Sequence, residues 1–552
     1  MQMMIAPQRC SRTFLFLVAL ILGIFLFTAS RLHAPSIPQS LLHFGFGTSH
    51  GTKALDVIQL NNGLVPVEPT TDQEKPKASK CSNPEIEHLR RQELALTESI
   101  VYTRRCIKLL RGAPDRDAVT NVSRSLITNK LTLNLDACSR VDLQPCDYLP
   151  LVVPPAYPDK DYRHLMFGVA SKFDRLQSSL PSFAHWLSGS GAQLIVIVAD
   201  ANERGRDLNL SDLEEEYRRW GINATFMPPN PKDIGSKNDG SQREIPVEHH
   251  HFLVIRELVT AATPDTKWLG IVDDDTFFPS LFPLDAELAR HDYTQRAWLG
   301  ALSDDFSSIR VWGIMAFGGA GVFLSVPLAQ AIAPLSEQCI SEAATPSGDG
   351  ILRDCIYAHT GTKLTVVPGL HQHDFRGDPS GFYESGGDGF EKSWYRAPLA
   401  AMASVTGVCG SCFLQRWRFG TNTILSNGYS VVQYADDILD TLDLSRVEFT
   451  WDDPVPNGHD YDFSYGPLRP PLGRDQKKSY RLVDVSVVDA DGEQNGGGWA
   501  GRWRGKKKFR QLYIYRGKTG EEDDDGNNEA SDDDDENKKP IMDEVIELLW
   551  DF

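Results

Sequence analysis

The chain has no surplus of positive charge: 56 Lys and Arg face 75 Asp and Glu over 552 residues, for a formal net charge of −19. Neutralising a phosphate backbone requires a basic surface, so nucleic acid is excluded as a partner. No internal repeat is visible, which leaves distinct domains rather than an array. The one C-x-x-C, Cys409-Gly-Ser-Cys412, has no second such pair, so disulfides are expected there rather than a zinc site. What is present is ordinary globular material, 41% hydrophobic and 24% charged, long enough for two or three domains. The acidity is uneven, because residues 521–552 carry 15 Asp and Glu against 2 Lys and hence −13 of the −19.

One charge-free apolar stretch stands out, Thr13–Ser30, 18 residues preceded by Arg9 and Arg12. At 1.5 Å per residue it spans about 27 Å, near the hydrocarbon thickness of a thin bilayer. A cleavable signal peptide has a shorter apolar region ending at a small-residue site, whereas Ala29-Ser30 here runs into Arg31. The expectation is a transmembrane signal anchor over residues 13–30, with residues 1–12 cytosolic and the remainder lumenal, a type II topology. Of the nine cysteines (Cys10, Cys81, Cys106, Cys138, Cys146, Cys339, Cys355, Cys409, Cys412), all but Cys10 fall on the lumenal side. That even number is compatible with four disulfides of undetermined pairing. Sequons at Asn121, Asn209 and Asn223 lie on the same side and are candidate glycosylation sites.

Residues 31–80, rich in Pro, Ser, Gly and Thr, read as a flexible stem. Residues 81–160 read as a disulfide-tied junction with helical character over Asn83–Gly112. Between 161 and 390, short apolar strands (His164–Ala170, Gln193–Ala199, Lys267–Val272) alternate with helical stretches such as Phe173–Leu187. That alternation predicts an α/β fold with a parallel sheet covered on both faces. Residues 391–520 read as a β-rich domain broken by Pro and Gly turns. Residues 521–552 read as an acidic, mostly disordered tail, with a short amphipathic helix over Ile541–Phe552.

The chemistry concentrates in four motifs. Lys267-Trp-Leu-Gly-Ile-Val runs into Asp273-Asp274-Asp275-Thr276, placing carboxylates at the C-terminal edge of a buried strand, where open α/β folds bind ligands. Carboxylates so close repel one another, and a hard divalent cation bridging them to phosphates relieves that repulsion. Phe317-Gly318-Gly319-Ala320-Gly321 lets backbone approach a ligand closely. Gly348-Asp349-Gly350 opens a helical stretch, where Asp commonly serves as a helix cap. His371-Gln372-His373 puts two imidazoles on one face of an extended segment, as a manganese site accepts.

Taken in order, W-x-x-x-x-DDDT, G-G-A-G, G-D-G and H-x-H resemble glycosyltransferase family 31, the fringe and β1,3-galactosyltransferase group, and most closely its fungal members. Ser171-Lys172-Phe-Asp-Arg175, followed by Trp186, resembles that family's first nucleotide-binding turn, so the resemblance covers roughly Leu165 to Arg376. It implies a GT-A fold, Rossmann-like, binding a UDP-sugar through Mn²⁺. Asp273 and Asp275, with His371 and His373, are implied metal ligands. Ser171, Lys172, Arg175, Asp274, Gly318, Gly319 and Gly321 are implied nucleotide-sugar contacts. Asp349 is the implied catalytic base, with Gly348 standing where the family carries a further acid and Asp354 as the second candidate. The implied reaction moves a hexose or N-acetylhexosamine to a glycan or glycoprotein acceptor with inversion, forming a β-linkage, β1,3 by resemblance. The short anchor, the stem and this chemistry together lead to the expectation of a lumenal Golgi location, with the endoplasmic reticulum as the alternative.

Two stretches are set aside. His249-His250-His251 is expected as an exposed loop leading into a helix, because adjacent side chains point in different directions. Arg502–Arg510, basic and aromatic, is expected as a solvated strand edge. Two rival function classes are a membrane-tethered scaffold that binds UDP-sugar or glycan without turnover, motivated by Gly348 and the extra β-rich domain, and a metal-dependent hydrolase using the same carboxylates.

Overall fold

The expected apolar strands form, and in a computed structural model they join one seven-stranded sheet. The structure describes residues 84–551, except for 116–117, 138–145, 203–207, 231–244, 373–377, 385–389, 393–414, 450–460, 463–465, 490–506 and 518–541, and positions 156, 159, 305 and 368. The chain divides into Met1–Glu68 and Pro69–Phe552, and every described residue belongs to the second unit. The predicted anchor, stem, Cys81, Cys138, Cys409, Cys412 and His373 lie outside the described residues. Among the described residues no helix is long and apolar enough to cross a membrane.

The seven strands lie in the spatial order Leu364–Val366, Trp298–Gly300, Val322–Ser325, Trp268–Ile271, Leu165–Ser171, Gln193–Val198 and Asn223–Met227. Leu165–Ser171, buried throughout, runs parallel to its neighbours on both sides. Val322–Ser325 is antiparallel to both of its neighbours, so the sheet is mixed rather than wholly parallel. Side-chain alternation sorts the two faces. Phe167, Val169, Leu194 and Val196 pack with Leu176, Phe183 and Trp186 of the helix Phe173–Leu187. Met166, Ala170, Ile195 and Ile197 pack with Phe252 and Ile255 of the helix Val247–Ala261 and Ile351 of the helix Gly348–His359. Phe167 and Phe278 both meet Trp186 edge-on at 4.9 Å, contacts worth about 0.5–1.5 kcal/mol each beyond area burial. Disulfides join Cys106 to Cys146 and Cys339 to Cys355.

A ten-stranded sheet corrects three expectations. Its main path runs Val119–Val122, Arg416–Phe419, Thr423–Ser426, Ser430–Tyr434, Lys477–Asp489, Lys507–Tyr515, Asp543–Asp551, Ser99–Arg111 and Leu131–Asn134, with Tyr148–Val153 also paired to Ser99–Arg111. The helical reading of Asn83–Gly112 holds only for Pro84–Leu89 and the single 3-10 turn Gln92–Leu94, because Ser99–Arg111 is claimed by strand partners on both sides. The acidic run over residues 521–536 lies outside the described residues, and Asp543–Asp551 is a strand rather than an amphipathic helix. With both of its faces covered, neither helical nor strand periodicity is diagnostic. Of the basic stretch Arg502–Arg510, residues 502–506 lie outside the described residues, and the remainder belongs to Lys507–Tyr515, an interior strand rather than a solvated edge, in which Arg510 is buried with its Nε 2.7 Å from Glu547. Strands of the junction and of the β-rich region therefore lie in one sheet.

That sheet grips the segment downstream of His371. The short helix Ser380–Glu384 is buried. Arg469 reaches Glu384 at 3.0 Å and also pairs with Glu448, which Lys477 meets at 2.6 Å. The hydroxyl of Tyr434 donates to Glu384. Burial pushes the Glu384 carboxyl up to about 7 from 4.5, against the opposing pull of Lys477 and Arg469. A raised folded-state value means that the stabilising contribution is complete below about pH 4.5 and is lost as pH rises through about 7. Glu384→Gln removes that loss. Thermal unfolding should show the variant gaining on the native chain by about 2–3 kcal/mol between pH 5 and pH 8. An equal difference at both pH values would contradict the assignment.

Candidate active site

The strand Leu165–Ser171 ends beside the strand Trp268–Ile271, so Ser171 and the aspartates after Val272 meet at one sheet edge. Asp274 and Asp275 are buried there, and Asp273 is half-buried. The Ser171 hydroxyl donates to Asp274, and Arg175, in the first turn of the following helix, clamps the same carboxylate through Nε and Nη2. Arg175 also lies 3.7 Å from Asp275. Hydrogen bonding to Asp274 holds the Arg175 guanidinium even more firmly protonated than usual. Lys172 caps that helix by position and is exposed. Asp274 thus joins the first βα turn to the aspartate run through three side-chain hydrogen bonds.

Thr276 carries the connection onward. Its hydroxyl accepts from the Asp273 backbone N–H at 3.0 Å and donates to the Gly319 carbonyl at 3.0 Å. Gly318–Ala320 form one tight helical turn, and Gly321 follows at φ +90°, a conformation that glycine alone adopts without strain. The Gly318 N–H donates to Asp349 Oδ2 at 2.8 Å. Asp349 sits in the first turn of the helix Gly348–His359, while Ser347 performs the capping by accepting from Gly350 N–H. Helix capping therefore does not account for Asp349, which retains 19% of its side-chain surface.

His249–His251 are helical, not an exposed loop. The helix Val247–Ala261 begins two residues before them, and His250 and His251 are buried. His251 Nε2 lies 3.1 Å from Asp349 Oδ1, and its Nδ1 lies 3.4 Å from Asp273 Oδ1, so one imidazole joins two of the expected site carboxylates. The available signal was helical phase: His251, Ile255 and Leu258 recur at the spacing of one buried face. Asp304 was missed as well. It is buried behind His371, its Oδ2 3.3 Å from His371 Nδ1 while accepting from the Gln372 N–H at 3.1 Å. Such a carboxylate fixes the orientation of an imidazole. Its signal was a second pair of acids shortly after the apolar strand Trp298–Gly300.

His371 ends the strand Leu370–His371, which pairs with Phe390–Lys392, which in turn pairs with Thr276–Phe277. The histidine segment thus stands one strand from the aspartate run. Asp354 accepts from Ala344 N–H at 2.9 Å and pairs with Arg353 at 2.8 Å, so its contacts are local. Carboxylate oxygens at this edge suit a hard divalent cation in chemistry. Among the described residues, however, no group of three or more His, Cys, Asp or Glu is arranged to hold a metal ion. Asn121, Asn209 and Asn223 are all exposed, and Asn209 also caps the helix Leu210–Arg219.

Residues 310–386 match the family model described as a protein of unknown function, DUF604, a span that carries the glycine turn, Asp349 and His371. No curated protein matches the chain. Among solved structures it is similar to mouse xyloside xylosyltransferase 1 in its apo form, at 9% identity over 38% of this chain and 86% of that one, with a TM-score of 0.26. It is also similar to galactosyltransferase LgtC in complex with donor and acceptor sugar analogues, at 12% identity over 38% and 74% of the two chains, TM-score 0.24. A further similar structure is the mannosyltransferase PcManGT from Pyrobaculum calidifontis in complex with GDP-Man and Mn²⁺, at 11% identity over 39% and 58%, TM-score 0.24. Likeness this slight carries no functional weight, which falls on the residues of the site.

Proposed function

We propose that the chain is an inverting, UDP-sugar-dependent glycosyltransferase of the GT-A type, acting on a glycan or glycoprotein acceptor. The observation that carries the reading is the convergence of motifs far apart in sequence: Ser171 and Arg175 on Asp274, Thr276 on Gly319, and Gly318 on Asp349. A scaffold needs no such convergence on a partly exposed carboxylate. The rival reading was motivated by Gly348, and that glycine has a steric reason given below.

In this mechanism Asp349 accepts the proton of an acceptor hydroxyl, whose oxygen forms a bond to the anomeric carbon from the face opposite UDP. The bond from that carbon to the diphosphate oxygen breaks, UDP leaves with the electron pair, and configuration inverts. No protein nucleophile is required. The glycine turn allows backbone to approach the donor closely. The sequence resemblance implies Asp273, Asp275, His371 and His373 as the residues that would hold a divalent cation, which would supply neutralisation of charge at the departing diphosphate, although the described residues among them are not arranged as a metal site. The hexose or N-acetylhexosamine donor, the β1,3 linkage, the type II anchor at residues 13–30 and a Golgi or endoplasmic reticulum location belong to the same proposal, supported by the sequence resemblance and the apolar stretch.

The test is calorimetric titration of the full chain with a panel of UDP-sugars, in Mn²⁺ and in EDTA. One UDP-sugar is expected to bind with manganese and to lose most of its affinity in EDTA. Asp275→Ala should abolish the manganese-dependent part, and unchanged affinity in that variant would remove Asp275 from the metal site. Free sugar released without any acceptor would favour the hydrolase.

A further inference from the structure

We infer that His251 is the positioning residue of the proposed base, holding the Asp349 carboxylate in place for proton abstraction within space that Gly318 and Gly348 leave open. The inference rests on Asp349 serving as that base.

The two oxygens of Asp349 are engaged by different elements. Oδ2 accepts from the Gly318 N–H at 2.8 Å, and Oδ1 faces His251 Nε2 at 3.1 Å. Two contacts from separate directions fix the plane of a carboxylate that one contact would leave to rotate. The imidazole stands on a firm base, since Phe252, Val254, Ile255 and Leu258 of its helix are buried and the helix packs against Gly348–His359. Nδ1 lies 3.4 Å from Asp273 Oδ1 on the far side of the ring.

Both glycines are needed for this contact. A Cβ at position 348 would stand 2.7 Å from His251 Cδ2 and 2.7 Å from the Glu248 carbonyl oxygen. A Cβ at position 318 would stand 2.8 Å from His251 Nε2 and 2.9 Å from Asp349 Oδ1. A side chain at either position and the ring in its present place exclude each other. Gly348 is therefore not a vacancy in the catalytic stretch but the position that admits the imidazole.

His251→Leu keeps bulk without a donor, and His251→Gln keeps an N–H donor at similar reach. With the donor sugar identified by the titration panel, His251→Leu is expected to lower kcat by about 10- to 100-fold while KM for the donor and affinity for UDP stay within about threefold. His251→Gln is expected to recover most of that loss. Unchanged turnover, equal losses in both variants, or a parallel loss of UDP affinity overturns the inference, because a merely structural histidine would act in those ways. Should His251→Leu fail to fold, His251→Ala is read by the same measures. A crystal structure of the Leu variant supplies a readout independent of turnover: the Asp349 carboxylate is expected to rotate away from its present plane, and an unmoved carboxylate overturns the inference. If the native chain transfers no sugar, the base role falls, while that crystal structure still decides whether His251 fixes Asp349.

Discussion

Asp349→Asn should lower kcat by about 10²- to 10⁴-fold and leave UDP-sugar affinity within about twofold, the range expected for loss of a general base. The substitution is nearly isosteric. Its amide oxygen still accepts from the Gly318 N–H, so the glycine turn keeps its place. What disappears is the capacity to take a proton. Affinity should survive because the described contacts of Asp349 run inward, to Gly318 and His251, while the proposed mechanism puts the donor's charged groups at the aspartate run. Alanine is a poorer probe, since it strips a buried N–H of its acceptor and adds a penalty of about 1–3 kcal/mol unrelated to proton transfer. Initial rates of UDP release, paired with calorimetry on the same preparation, separate the two quantities. Near-native turnover would remove Asp349 from the role, and equal losses of rate and affinity would make it a binding residue.

The sequence revealed those parts of the site whose signal is local. A buried apolar strand running into three aspartates places carboxylates at a sheet edge whatever surrounds it, and the structure puts Asp273, Asp274 and Asp275 at that edge. The glycine turn was legible for the same reason. His251 was not, because three adjacent histidines have no common direction until the helix phase is known, and that phase was set by Ile255 and Leu258 beyond them. Gly348 read as a lost acid because its reason lies 97 positions upstream, in the ring that would collide with its Cβ. Three central strands of the seven-stranded sheet followed from periodicity, but its other four did not, nor did the antiparallel direction of Val322–Ser325, since a buried run of three or four residues has no direction of its own. The ten-stranded sheet was least visible, because its partners come from opposite ends of the chain.

That sheet yields the largest expected effect on stability: removal of residues 540–552 should prevent cooperative folding. Asp543–Asp551 pairs in parallel with Ser99–Arg111 and antiparallel with Lys507–Tyr515, so it closes two ladders at once. Val545, Ile546, Leu548, Leu549 and Trp550 are buried within it. At about 1.5–3 kcal/mol each they account for on the order of 10 kcal/mol, comparable with the whole stability of a typical domain. The truncation also strands charge, because buried Glu547 is the partner of Arg104 and Arg510 and accepts from the Tyr102 hydroxyl. Removing one side of a buried ion pair costs about 3–5 kcal/mol by itself. Trp550→Ala is the milder version, expected to destabilise by about 3–5 kcal/mol and to release the Gln511 side chain that Trp550 Nε1 donates to at 2.6 Å. Thermal unfolding followed by circular dichroism checks both variants, and a truncated chain that melts cooperatively near the native temperature would refute the assignment of this strand. The loss should reach the site as well. Lys477 and Ser479 of the same sheet hold Asp378 and Ser380, in the segment immediately downstream of the histidine motif. Folding of the C-terminal strand and placement of the site are therefore one event, and truncation should abolish nucleotide-sugar binding together with the thermal transition.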